Sequence, residues 1–102
     1  MDTATTSINP ERELPHNFYL EQNYPNPFNP STTIKYSIPK QSNVKIKVFD
    51  ILGREVITLL NDNKIAGNYS LTFDGSDLST GIYFYQIRTG NFTQTKKMII
   101  LR

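Results

Sequence analysis

The sequence has no cysteine, which removes disulfides, thiol nucleophiles and thiolate metal sites together while selecting no redox compartment. It has no tryptophan and a single histidine, His16, with no partner near it in the chain. His16 therefore reads as a solvated residue and not as a general base or metal ligand. No apolar run approaches the roughly 18 residues that a membrane-spanning helix needs. The leading residues lack the basic and apolar regions of a secretory signal peptide, being polar and broken by Pro10 and Pro15. Charge of one sign is scarce too. A formal net charge of +2 with no long like-charge block argues against nucleic acid or a membrane surface as an electrostatically held partner.

What is present suits one small domain. The chain has 102 residues, of which 37% are hydrophobic, and that is enough to bury a core. Residues 1–17 are aperiodic and are expected to form a flexible linker or appended tail; residues 18–102 are expected to form the domain. Phe18-Tyr19-Leu20 is the first apolar cluster and suits a short edge strand. From Thr32 the period becomes two, with Ile34, Tyr36 and Ile38 on one side and Thr33, Lys35 and Ser37 on the other. Pro39 to Asn43 is expected to turn. Val44, Ile46 and Val48 then alternate with Lys45 and Lys47, and Asp50 to Gly53 closes a hairpin in which Gly53 takes positive φ.

Arg54 to Leu60 is too short and too β-branched for a helix and reads as strand, followed by a loop at Asn61 to Lys64. Tyr69, Leu71 and Phe73 alternate with Ser70 and Thr72. Asp74 to Gly81 is a loop with Leu78 plugged inward. Ile82 to Thr89 carries bulk on both faces, as a central strand would, and Gly90-Asn91 connects it to a last strand over Phe92 to Leu101. Seven short strands with no helix predict an all-β fold, an antiparallel immunoglobulin-like β-sandwich.

The stretch Tyr24-Pro25-Asn26-Pro27-Phe28-Asn29-Pro30 stands apart. Its prolines remove three backbone donors and push the residues before them toward extended conformations. It can be neither helix nor mid-sheet, and reads as a rigid crossover pinned by Phe28.

Catalytic chemistry is not expected. Asp62, Asp74 and Asp77 lie in loops but lack the ligand spacing of a calcium loop and suit turn bonds as well. No phosphate loop, Ser–His pair or close acid pair is present. Asn68-Tyr69-Ser70 and Asn91-Phe92-Thr93 match a glycosylation sequon too loose to assign. The aromatics Tyr69, Phe73, Tyr83, Phe84, Tyr85 and Phe92 could form a sugar-stacking row, which makes a carbohydrate-binding module one alternative. A passive spacer of a secreted enzyme is another. Core packing is the simpler use of aromatics on strands. No cofactor, metal, nucleic acid or small-molecule substrate is expected.

Leu20 to Pro30 with Thr33 to Tyr36 resembles the start of the type IX secretion system C-terminal sorting domain, the type A or Por secretion tail group. So, in order, do Val48-Phe49-Asp50, Gly53-Arg54-Glu55-Val56, Ala66-Gly67, Gly81-Ile82-Tyr83-Phe84 and the run Lys96-Lys97-Met98-Ile99-Ile100-Leu101. Such domains are similar to the immunoglobulin-like module of flagellar hook-capping proteins. The resemblance implies a non-enzymatic tag in Bacteroidetes and related bacteria, carried behind an N-terminal cargo. It implies transit of the periplasm, passage through the outer-membrane translocon, and removal by a surface peptidase in or before residues 1–17. An excised domain with Met1 added is the expectation, since no cargo precedes it. By position, Gly81, Tyr83, Lys96, Lys97, Met98, Ile99, Ile100 and Leu101 are the recognition candidates, with the last strand offered to a receptor by β-augmentation. Pro25, Asn26, Pro27, Phe28, Asn29, Pro30 and Gly53 form the structural signature.

Overall fold

A computed structural model describes residues 14–102. The expected linker up to residue 13, with any cleavage point inside it, lies outside the described residues. Seven strands follow in order: β1 (Tyr19–Leu20), β2 (Ser31–Ile38), β3 (Ser42–Phe49), β4 (Glu55–Lys64), β5 (Gly67–Asp74), β6 (Gly81–Thr89) and β7 (Phe92–Ile100). They form a three-stranded sheet ordered β1-β2-β5 and a four-stranded sheet ordered β4-β3-β6-β7. Neighbouring strands in both sheets run antiparallel.

Period-two alternation makes this sandwich. Ile34, Tyr36 and Ile38 of β2 and Val44, Ile46 and Val48 of β3 are all buried, and their intervening polar residues face away. Tyr85, Ile87, Met98 and Ile100 complete one continuous core, against which Leu78 packs as expected for an inward plug. The β3–β4 turn is fixed as its residues suggest. The Asp50 carboxylate accepts from the Leu52 and Arg54 amides, both at 2.9 Å, and Gly53 sits at φ 82°.

Three local expectations are corrected. Asn61 to Lys64 is strand, not loop, and pairs residue by residue with Ser42 to Lys45 of β3. β4 is an edge strand with little surface to bury, so its backbone pairing leaves no apolar alternation in the sequence. Its polar and charged run is what guards an edge against foreign strands. For the same reason the turn before β3 is shorter than expected, because Ser42 and Asn43 already belong to the strand. β6 is central in its sheet but is not enclosed on both faces. Tyr83, Tyr85 and Ile87 point into the core, while Ile82 is 42% exposed on the outer face.

The strands set up two ends. Phe18 stacks on Phe92 with ring centroids 5.3 Å apart, so the chain enters at the end where β7 starts. The crossover, the β3–β4 turn, the loop after β5 and the end of β7 gather at the other end, roughly 27 Å away at about 3.4 Å per residue along β7. Phe28 is 2% exposed there, edge-on to Phe73 at 6.0 Å. Phe28→Ala should therefore lower unfolding free energy by about 3–5 kcal/mol, read from denaturant melts; a near-neutral result would mean the ring does not anchor the crossover.

Candidate recognition surface

The crossover joins both sheets. At its start Tyr24 continues β1 by pairing with Thr33 of β2, the two exchanging amide–carbonyl bonds of 3.0 and 2.9 Å. Four residues later the chain has moved to the other sheet. The Phe28 amide donates to the Ile99 carbonyl and the Leu101 amide donates to the Phe28 carbonyl, each at 3.0 Å, in a parallel bridge beside Ile100. All three X–Pro bonds of the segment are cis.

Polar groups buried by the switch are satisfied. Asn23 is 2% exposed, and its amide nitrogen reaches Thr32 Oγ1 at 3.0 Å and the Pro25 carbonyl at 3.2 Å. Its oxygen accepts from Gln22 at 2.7 Å, while the Tyr85 hydroxyl donates to the Glu21 carbonyl at 2.6 Å. Gly75 is a close-approach position: a Cβ there would lie 3.1 Å from the Ile100 side chain and 3.3 Å from the Phe28 ring.

The same segment covers the outer edge of β7. Gln22 donates to the Lys97 carbonyl at 2.7 Å, and the Asn26 side-chain oxygen accepts from the Ile99 amide at 2.9 Å. With the two Phe28 bonds, the edge from Lys97 to Leu101 is occupied. Along this part of the last strand, β-augmentation would first require displacing the proline segment. Arg102 closes the same end. Its guanidinium lies in hydrogen-bond reach of the Gly75, Ser76 and Leu78 carbonyls, and its amide donates to Thr80 Oγ1 at 3.1 Å.

The recognition candidates fall into two groups. Gly81 opens β6 opposite Ile100, and Tyr83 is 8% exposed with its hydroxyl donating to the Ser79 carbonyl at 2.9 Å. Met98 and Ile100 are wholly buried. Tyr83, Met98 and Ile100 pack in the core, and Gly81 is half-buried at the strand's start. Lys97 is exposed opposite Phe84 and Leu101 is 51% exposed; Lys96 and Ile99 are half-buried. Of the signature residues, Phe28 is the buried anchor, Asn26 the edge cap and Gly53 the turn glycine, while Pro25, Pro27, Asn29 and Pro30 are exposed.

A family model described as the secretion system C-terminal sorting domain matches residues 22–101. The chain belongs to that family. No curated protein and no solved structure gives a significant match. The match covers the crossover and every strand from β2 to β7, so of the residues described for this surface it leaves out only Glu21 and Arg102. As a type IX sorting domain, the chain carries export information for a cargo in its parent protein.

Of the six aromatics that could form a sugar-stacking row, only Phe84 lies on the outer sheet face. Phe73, Tyr83 and Tyr85 are buried, Tyr69 stacks on buried Tyr36 at 5.3 Å, and Phe92 stacks on Phe18. Among the described residues no group of three or more histidines or carboxylates converges on a metal position. Sequence reasoning did not single out Asn23, Gly75 or Arg102. An asparagine or glycine among turn formers carries no mark of the backbone it will meet from another strand.

Two measurements check this construction. Asn26→Ala should speed hydrogen exchange at the Ile99 amide while leaving amides in the middle of β6 unchanged; equal protection in both proteins would remove Asn26 from the edge. Burial pushes the Tyr36 and Tyr85 hydroxyls from the ordinary 10 up to about 12. The folded chain thus holds these two protons more tightly than the unfolded chain. The stabilisation is complete below pH 10 and is lost as pH rises from 10 to about 12, so ultraviolet titration should show two tyrosines ionising late, with melting falling over that window.

Proposed function

We propose that this sorting domain, from about Phe18 onward, directs a cargo fused ahead of it from the periplasm across the outer membrane through the type IX translocon. A surface peptidase then removes it within or before residues 1–17, leaving the cargo at the cell surface or in the medium. The observation that carries the reading is the family match over residues 22–101. The domain acts by being recognised and performs no reaction of its own.

Within the recognition candidates, Gly81, Tyr83, Met98 and Ile100 act through the fold. Lys96, Lys97, Ile99 and Leu101 are the ones a receptor can touch, and Lys97 and Leu101 are the most open of them. Deleting the last strand would not separate these roles, because it strips Met98 and Ile100 from the core. A point substitution does.

A reporter with a signal peptide, fused ahead of the full chain and expressed in a host with a type IX system, should reach the medium or the surface. Lys97→Glu combined with Leu101→Ser should reduce external reporter while the melting curve of the domain stays within experimental error. Retention of the unsubstituted fusion inside the cell would refute the sorting role; full export of the folded double variant would refute recognition at these two side chains.

A further inference from the structure

The outer face of the four-stranded sheet has its own pattern. Side chains directly opposite one another make rungs across β3, β6 and β7. The rung nearest the crossover end pairs Ile82 with Ile99, and the next sets Phe84 between Phe49 and the exposed Lys97. Two rungs further on, Lys45 sits directly opposite Arg88. Between them Lys47 faces Gln86 and is neutralised by Glu55 at 3.1 Å.

Lys45 and Arg88 are both exposed, and among the described residues neither forms an ion pair. Like charges directly opposite on one face of a sheet are destabilising, and a single acidic replacement would relieve them. At the apolar end, Ile82 is 42% exposed, and the adjoining turn holds Ile51 and Leu52 at 67% and 71%. A shallow groove of about 320 Å³ runs between Phe49, Ile51 and Phe84. Apolar side chains contiguous on a flat sheet face, ending in an uncompensated basic pair, are the composition of an interface awaiting its complement.

We infer that this face docks a partner protein whose own surface is apolar where it meets Ile82, Phe49 and Phe84 and acidic where it meets Lys45 and Arg88. The charge pattern selects that occupant. A second copy docked by a two-fold axis through the basic rung would set the two Lys45–Arg88 pairs against each other. An anionic bilayer would want several free cations level with the protruding Ile51 and Leu52, whereas there Arg54 is paired with Asp50 at 2.9 Å, Lys97 stands at the Phe84 rung, and Lys45 and Arg88 lie two rungs further on. The inference rests on the sorting role and deepens it, because the partner is a component of the export machinery that meets the domain broadside and not at its last strand alone.

The test compares three reporter fusions in a type IX host: unsubstituted, Lys45→Glu with Arg88→Glu, and Lys35→Glu with Lys40→Glu. The last pair makes the same change in net charge at exposed positions away from this face. External reporter should fall about tenfold for the first pair, the scale on which reversing steering charges slows association, and change little for the control. Both variants are melted to establish folding. If the unsubstituted fusion is exported and all three behave alike, the docking face is overturned and the sorting role stands. If the unsubstituted fusion is retained, the sorting role fails first. Two further results would overturn the inference: a monomer–dimer equilibrium abolished by Lys45→Glu with Arg88→Glu in sedimentation, or binding to phosphatidylglycerol vesicles abolished by the same pair.

Discussion

The parallel bridge between Phe28 and Ile100 is the constraint on which the rest depends. Two main-chain bonds of 3.0 Å bring a segment that began on the three-stranded sheet onto the edge of the four-stranded one. That places the Phe28 ring over Phe73, brings Gly75 against Ile100, and satisfies the β7 edge from Lys97 onward. The prolines make the switch feasible. A fixed φ lowers the entropy cost of holding the chain between the two sheets. Asn23 and Thr32 then satisfy the Pro25 carbonyl inside the sandwich.

Seen this way, the two ends of the family match are one assembly. The proline motif and the chain's last residues lie more than seventy residues apart in the chain yet share three hydrogen bonds. A substitution in either alters the other, so loss of export on changing the last strand is by itself ambiguous between a lost contact and a loosened crossover. The side chains separate these meanings: Met98 and Ile100 belong to the core, Lys97 and Leu101 to solvent.

Most of the fold was legible wherever one strand face is buried and the other is wet. The alternations at Ile34 to Ile38, Val44 to Val48 and Tyr69 to Phe73 each named their strand and their inward face. Legibility failed at Asn61 to Lys64, where an edge strand of polar residues buries no apolar side chain and is held mainly by its backbone pairing. It failed in part at Ile82 and Phe84, since bulk on both faces of β6 reflects an apolar outer surface and not a second covering layer. Phe28 could be picked out as the only large apolar group among prolines. Which strand it would meet could not, because a parallel bridge to Ile100 leaves no periodic trace. Lys45 and Arg88 were likewise visible only as scattered surface cations until register set them face to face.

The parallel sense of that bridge also has a mechanical meaning. The chain enters beside Phe92, and the bridge lies at the far end of the same strand. A pull applied ahead of Phe18 and resisted beyond Ile100 would run along the strand axes, across the hydrogen bonds that join neighbouring strands. Bonds so arranged strain together in shear instead of opening one after another like a zipper. The fold is thus built to stay closed under tension along its length, while a sideways tug on the proline segment would peel it from β7 one bond at a time.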